Sequence, residues 1–207
     1  MLDGQRRAVA DALFETGAIR FGQFRLKLHE KQPDAPLSPI YVDLRVTRSF
    51  PSAFGEIATL YQEMVGALSF DVLADVPTAA TPIVAVLSYL MKVPMISPRL
   101  EVKEHGQRRP IDGTARPGSR VLLVDDLITR ADSKLEAISL LESHGFVVKD
   151  VAVLVDREQG GAQELQRRGY DCHSSFRLID LLQYYREVGR IDAAQLNQVM
   201  EYLRSAS

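Results

Sequence analysis

The sequence predicts an α/β fold with a mainly parallel, twisted sheet flanked by helices. Short aliphatic segments alternate along the chain with longer segments of helical apolar spacing, which is typical of βαβ units. Residues 121–124 (VLLV) and 151–155 (VAVLV) have no polar position, as expected for strands that are buried on both faces. A chain of 207 residues is long enough to bury the core of one such domain.

Capping residues and prolines predict the first elements. An amphipathic helix begins after Asp3, whose side chain can cap it, and ends near Gly17. Residues 21–45 form a strand-rich segment that is interrupted by prolines. Pro51 suits the first turn of the next helix, which is predicted to end near Leu68.

The later elements alternate in type. The predicted strands cover residues 71–76, 94–97, 121–124 and 151–156. The predicted helices cover residues 81–92, residues 133–145, a segment that finishes with 163–169, and two stretches within 177–206. Residues 99–118 carry many charges, glycines and prolines, and are therefore predicted to form a loop.

Polar side chains fall at the predicted strand ends. These residues are Asp75, Asp125, Asp126, Asp156 and Arg157. In parallel sheets, ligands bind beyond the carboxyl ends of the strands, where the loops that lead into helices meet. The sequence therefore predicts a ligand site at this edge of the sheet.

Composition excludes several classes of protein. Hydrophobic residues make up 46% and charged residues 25%, and the net charge is −2, so the overall balance favours neither nucleic acid nor a membrane as partner. The one cysteine, Cys172, excludes an internal disulfide framework and fits a reducing compartment. The N-terminus lacks the apolar core of a signal peptide, and no apolar run reaches about 18 residues. We expect a cytoplasmic protein.

Residues 121–133, VLLVDDLITRADS, combine three chemical tools. Paired carboxylates can accept hydrogen bonds from vicinal hydroxyls, or lie beside a developing cation. A Thr/Ser turn at a helix N-terminus can hold a phosphate. The alternative is structural: Asp125 and Asp126 merely end a strand, and Asp132 or Ser133 caps a helix, since Ser133 and Glu136 match a capping box.

This segment resembles the phosphoribosyl-pyrophosphate (PRPP) motif of type I phosphoribosyltransferases. The resemblance extends to orotate phosphoribosyltransferases and to the equivalent domain of UMP synthases, and covers about residues 20–190. The further matching segments, in the order and spacing of that family, are FRLK (24–27), SPIYVDLR (38–45), DVLADVPTAATPI (71–83), PRLEVKEHGQRRPIDG (98–113) and VLVDREQGG (153–161).

The resemblance implies a fold and a reaction. The fold is the type I phosphoribosyltransferase fold, a single domain over residues 1–207 with an N-terminal hood over 1–50 and an α/β core over 51–207. The reaction transfers ribose 5-phosphate from PRPP to orotate, which gives orotidine 5′-monophosphate and pyrophosphate in pyrimidine biosynthesis. Mg²⁺ is the implied cofactor, held mainly by the substrate and not by dedicated protein ligands.

Family analogy also assigns the site residues. The implied catalytic residues are Asp125, Asp126, Lys103 and His105. The implied PRPP-binding residues are Lys27, Arg99, Lys103, His105, Asp125, Asp126, Thr129, Arg130, Ala131, Asp132 and Ser133. The implied orotate-binding residues are Thr129, Arg157 and Tyr41. In the family, the loop that matches residues 99–109 reaches the neighbouring subunit's site, which implies a homodimer.

Four positions depart from the family pattern where phosphates bind. Ala131 and Asp75 replace glycines, Asp132 replaces a small residue, and Leu100 replaces a lysine; residues 28–37 also contain an insertion. These changes weaken anion binding, and so leave two alternatives open. One is a catalytically impaired module that binds a ligand or regulates a partner, with the Asp132 carboxylate in the anion pocket of the helix N-terminus. The other is a phosphoribosyltransferase for a different base.

Overall fold

The computed structural model describes residues 2–25, 27–30, 33–100 and 110–205. These residues form two compact units, one made of Met1–Glu56 with Leu178–Ser207 and the other of Ile57–Arg177. The last two helices therefore group with the N-terminal segment. The single domain with a hood over residues 1–50 and a core over 51–207 stays a prediction.

The first unit begins with the predicted capped helix. Helix α1 spans Gly4–Glu15, and the Asp3 carboxylate accepts a hydrogen bond from the backbone N–H of Arg6 at 2.9 Å. Gly17 follows with φ of +71°, a conformation that favours glycine and ends the helix. Strands β1 (Ile19–Phe24) and β2 (Ser38–Val42) then pair as an antiparallel ribbon.

Two C-terminal helices complete this unit, as the sequence predicts. They are α6 (Leu178–Glu187) and α7 (Ala193–Ser205). The hydroxyl of the buried Tyr185 donates a hydrogen bond to the carbonyl of Ala10 at 2.7 Å, which holds α6 against α1.

The second unit contains the predicted, mainly parallel sheet. Its strand order is β5–β4–β3–β6–β7–β8, and every neighbouring pair is parallel except β4 with β5. The strands are β3 (Val72–Asp75), β4 (Met95–Pro98), β5 (Ile111–Asp112), β6 (Arg120–Ile128), β7 (Val147–Asp156) and β8 (Asp171–Arg177). The helices are α2 (Pro51–Val65), which begins in the first unit, α3 (Thr81–Met91), α4 (Asp132–Ser143) and α5 (Gly161–Arg167).

The central strand differs from the prediction. Strand β6 does not end at the two carboxylates but continues to Ile128, and its pairing with β7 includes Asp125 opposite Val153 and Ile128 opposite Asp156. The prediction that Asp125 and Asp126 mark a strand end is therefore wrong. The aliphatic run stops at Val124, whereas the ladder of backbone hydrogen bonds does not depend on side-chain polarity.

Two strands were not predicted. Strand β8 (DCHSSFR) is an edge strand with polar residues at most positions, so it lacks the aliphatic pattern of its neighbours. Strand β5 has two residues and exists through its pairing with β4. Among the described residues, no helix is both long and apolar enough to cross a membrane.

Candidate active site

The candidate site lies at the carboxyl edge of three adjacent strands, β3, β6 and β7. Asp75 ends β3 opposite Val124 of β6, and Asp156 ends β7 opposite Ile128. This edge is where ligands of parallel sheets bind. The second unit therefore brings the acidic pair of β6 together with the turns that follow β3, β6 and β7.

Backbone hydrogen bonds join the turn after β6 to the segment after β7. The N–H of Arg157 donates to the carbonyl of Ile128 at 2.9 Å, and the N–H of Gly161 donates to the carbonyl of Thr129 at 3.0 Å. Thr129 and Arg157, which are separated widely in the sequence, are thus neighbours in space.

Gly161 makes this contact sterically feasible. A Cβ at this position would lie 2.6 Å from Cγ1 of Ile128 and 2.7 Å from the carbonyl oxygen of Thr129. Only glycine fits such an approach, and Gly160 before it has φ of +88°, which also favours glycine. The Gly160–Gly161 pair therefore brings helix α5 against the Thr129 turn.

Asp125 is buried and its oxygen atoms are all engaged. Its Oδ1 accepts a hydrogen bond from the N–H of Asp126 at 2.9 Å, and its Oδ2 forms an ion pair with Nζ of Lys134. Its backbone carbonyl accepts a hydrogen bond from the hydroxyl of Tyr61 at 2.6 Å. With 4% of the residue exposed, Asp125 faces the protein interior.

Lys134 is a site residue that the sequence reasoning missed. The residue is 4% exposed, and its Nζ also donates to the carbonyl of Leu127 at 2.7 Å. A signal was present, because Lys134 shares the apolar face of α4 with Ala137, Ile138 and Leu141 at helical spacing. A lysine on such a face indicates a buried partner, since an unpaired charge is expensive to bury.

Asp126 has a different environment from its neighbour. It is half-buried, and its Oδ1 accepts a hydrogen bond from the N–H of Leu127 at 2.7 Å. Burial, followed by the charge of Asp125, raises the pKa of Asp126 to about 7, while the charge of Lys134 acts in the opposite direction. The folded state holds this proton more tightly than the unfolded chain, so through this group the free energy of unfolding falls as pH rises from 3.8 to about 7.

The turn after β6 tolerates two of the departures from the family pattern. Ala131 has φ of −87° and ψ of −1°, an ordinary conformation that needs no glycine, and its methyl group packs into the core. Asp132 is exposed at the first position of α4. Ser133 beside it is half-buried, and Arg130 before the helix is exposed.

The predicted side-chain caps of α4 are wrong. Ala131 occupies the N-cap position, and no side chain caps the helix there. Neither Ser133 nor the Asp132 carboxylate therefore fills the N-terminal pocket, because the helix begins one residue earlier than a capping Asp132 requires. Within the described part of the chain, Arg130 forms no ion pair with Asp132.

Asp75 is a completely buried carboxyl group, with 0% of the residue exposed. Its Oδ2 accepts a hydrogen bond from the hydroxyl of Thr81, the first residue of α3, whereas Oδ1 has no hydrogen-bond partner among the residues that the structure describes. An unsatisfied buried oxygen costs free energy, typically about 1–3 kcal/mol. Asp75 therefore leaves one buried carboxyl oxygen without a hydrogen bond from the described residues, close to the turn between β3 and α3.

The described ends of the 99–109 loop are held together. The N–H of Arg99 donates to the carbonyl of Pro110 at 2.8 Å, and its guanidinium donates to both oxygens of Asp112 at 2.8 and 2.6 Å. These hydrogen bonds lower the pKa of Asp112 below its ordinary value. Leu100 packs against the apolar core of the sheet, which gives this departure a structural role. Lys103 and His105 lie outside the described residues.

Lys27 and Tyr41 belong to the first unit. Lys27 opens a short 3-10 helix, Lys27–Glu30. Tyr41 lies on β2, where the guanidinium of Arg20 is 5.1 Å from the centre of its ring. The roles assigned to these two residues stay predictions.

The described residues of the second unit offer few ligands for Mg²⁺. Among the described residues, no group of three or more His, Cys, Asp or Glu side chains could hold a metal. Asp126 offers a half-buried carboxylate, the oxygen type that Mg²⁺ prefers. Mg²⁺ held mainly by the substrate stays a prediction.

Comparisons with known proteins give consistent relatives, although no family model matches this chain. The orotate phosphoribosyltransferase of Pyrobaculum aerophilum is 34% identical over 192 residues, which are 92% of this chain and 95% of the relative. The bifunctional enzyme PyrF/PyrE of Nostoc sp. is 36% identical over 183 residues, 88% of this chain and 37% of that protein. The solved UMP synthase of Leishmania donovani has a TM-score of 0.84 at 33% identity and covers 98% of this chain. This chain spans less than half of the two longer proteins, 37% of the first and 43% of the second.

The contact of Gly161 gives a stability prediction. Gly161→Ala places a methyl group against Ile128 and a backbone carbonyl that cannot move cheaply, so we expect it to lower the free energy of unfolding by roughly 1–3 kcal/mol. Chemical denaturation measures the change. The matched control is Gly55→Ala in helix α2, where a Cβ meets nothing within 4 Å, and we expect no loss there. A Gly161→Ala protein as stable as the wild type would contradict the tight contact.

Proposed function

Because the chain belongs to the orotate phosphoribosyltransferase family, we propose that it transfers ribose 5-phosphate from PRPP to N1 of orotate, which yields orotidine 5′-monophosphate and pyrophosphate. The observation that carries this proposal is the pair of backbone hydrogen bonds between the turn after β6 and the Arg157–Gly161 segment. The segment matched to PRPP and the segment matched to orotate are neighbours, as transfer between two bound substrates requires. The reaction serves pyrimidine nucleotide biosynthesis.

The chain's own groups support a loose, cation-like transition state. As the bond from C1′ to pyrophosphate lengthens, positive charge grows on the ribose, and a carboxylate at the edge of β6 stabilises it. The turn of residues 129–133 lies at the N-terminus of α4, where backbone N–H groups and the helix dipole favour the 5′-phosphate. Arg157, with its planar guanidinium, suits the carboxylate of orotate, and Thr129 lies beside it.

The pyrophosphate side rests on family resemblance. Arg99, Lys103 and His105 cover the leaving group, Lys27 contributes a further cation, and the 99–109 loop serves the neighbouring subunit of a homodimer. Arg99 is already paired with Asp112, so its contact with pyrophosphate exchanges one anion for another. Mg²⁺, when bound, would neutralise negative charge on the pyrophosphate leaving group.

Of the four departures from the family pattern, three favour an active enzyme and one favours the impaired module. Ala131 adopts an ordinary backbone conformation, Leu100 packs against the core, and Asp132 does not fill the helix N-terminal pocket, which together favour an active enzyme. Asp75 favours the impaired module, because a buried carboxyl group stands beside the turn that the family uses for pyrophosphate. A cytoplasmic homodimer without nucleic acid or membrane partners completes the proposal.

An activity assay separates the two. Purified protein mixed with PRPP, orotate and Mg²⁺ is expected to deplete the ultraviolet absorbance of orotate and to release pyrophosphate. Parallel reactions with uracil, adenine and guanine test the choice of base. No turnover with any base at millimolar PRPP would leave the impaired module as the better account.

The Asp132 carboxylate is expected to weaken PRPP binding only moderately. A unit charge about 5 Å from a phosphate costs about 1 kcal/mol in water, which corresponds to roughly five-fold in affinity. Asp132→Ser should therefore tighten PRPP binding by about that factor in calorimetry, with a smaller effect at high salt. Glu136→Gln, one turn further along the exposed face of α4, is the matched control and should change little. Equal effects of the two variants would argue against a local interaction with the phosphate.

A further inference from the structure

The two carboxylates of the acidic pair differ in what they can offer a ligand. Asp125 is 4% exposed. One of its carboxylate oxygens accepts a hydrogen bond from the N–H of Asp126, and the other forms an ion pair with Lys134. Asp126 is half-buried at the same edge of the sheet. Successive side chains of a strand point to opposite faces of the sheet. Because Asp125 points toward Lys134 of α4, Asp126 points to the other face, away from α4.

We propose that Lys134 is a positioning residue that holds Asp125 in the interior, and that Asp126 is the one carboxylate of the pair that contacts the ribose of PRPP. This inference rests on the proposed function and divides the roles within its site. The sequence resemblance assigns the same contact to both carboxylates, whereas the geometry separates them.

Lys134 also connects the two parts of the site that bind different ends of ribose 5-phosphate. Its Nζ reaches both the Asp125 carboxylate and the carbonyl of Leu127, two positions on β6 that flank Asp126. Its backbone lies in the first turn of α4, directly after residues 129–133, the proposed site of the 5′-phosphate, which we call the phosphate turn. The side chain therefore fixes the distance between the phosphate turn and Asp126.

The charges around Asp126 agree with this division. Lys134 balances Asp125, so that Asp126, once ionised, is the carboxylate that gives net negative charge to a site that must receive a cationic transition state. Tyr61 of α2 is neutral, since burial raises its pKa well above the ordinary value. Near Lys134, Cys172 of β8 is also neutral because burial and then the charge of Asp156 at the end of β7 raise its pKa to about 11.

Four variants test the proposal: Asp126→Asn, Asp125→Asn, Lys134→Met, and the double variant Asp125→Asn with Lys134→Met. Calorimetry with PRPP and Mg²⁺ measures affinity, and thermal unfolding measures stability. We expect Asp126→Asn to lose roughly ten-fold or more in PRPP affinity, because the amide oxygen lacks the charge that strengthens a hydrogen bond from a hydroxyl. The variant should be at least as stable as the wild type, because it no longer carries a carboxylate whose ionisation burial disfavours.

The double variant decides between the two roles of Asp125. Each single change at the buried pair leaves one charge without its partner, so we expect a marked fall in melting temperature. The double variant removes both charges and should recover stability. It loses the positioning of Asp126 but no contact with the sugar, so we expect it to bind PRPP more weakly than the wild type and clearly more tightly than Asp126→Asn. If it binds as weakly as Asp126→Asn, Asp125 contacts the sugar and the proposal is wrong. The double variant keeps the test usable even where a single variant does not fold.

A pH profile separates positioning from simple support of the fold. Wild-type affinity should rise as Asp126 ionises near pH 7, and Lys134→Met should move this rise to higher pH because Asp125 is no longer balanced. The double variant should return the rise toward the wild-type position. PRPP and Mg²⁺ are common to all samples, so their own ionisation cancels in the comparison. An unchanged profile in Lys134→Met would overturn the positioning role.

Failure of the proposed function gives a different result. Wild-type protein that does not bind PRPP would overturn that function, and this inference with it. Wild-type protein that binds PRPP, together with a double variant that does not, would overturn only the division of roles.

Discussion

The candidate site depends on one buried ion pair, between Lys134 of α4 and Asp125 of β6. The pair joins the helix that begins at the phosphate turn to the strand that carries the acidic residues. Removing one partner of such a pair typically costs about 3–5 kcal/mol, because the other charge remains buried. The orientation of Asp126, and the position of the turn before α4, therefore follow from a contact that does not itself face the ligand.

A second constraint joins this edge to the orotate side. The missing Cβ of Gly161 lets α5 approach the carbonyl of Thr129, and the same approach brings Arg157 to the end of β6. Positioning by backbone contact gives the site a precision that flexible side chains alone would not provide. The turn after β3, on the other side of β6, is less well stabilised. Asp75 buries a carboxyl oxygen there that has no hydrogen-bond partner among the described residues.

The fold could be predicted largely because its parallel strands are aliphatic and its helices are amphipathic. The hydrophobic pattern did not predict β8, because most residues of that strand are polar. It also predicted too early an end for β6, because the backbone pairing with β7 continues past the aliphatic residues to Asp125 and beyond. In the site, the family resemblance implied roles for Thr129 and Arg157. It did not indicate that backbone hydrogen bonds join their segments, from Arg157 to Ile128 and from Gly161 to Thr129. Lys134 escaped notice because its charge suggested a surface position, whereas its place on the apolar face of α4 indicated burial.

A structure of the protein with PRPP and Mg²⁺ tests the central claim most directly. The account predicts an oxygen of Asp126 at hydrogen-bond distance from a ribose hydroxyl, about 2.5–3.0 Å, with the 5′-phosphate on the backbone N–H groups of residues 129–133 and Lys134 still paired with Asp125. A sugar held by Asp125 after it has left Lys134, or a bound donor whose phosphate lies outside this turn, would contradict it.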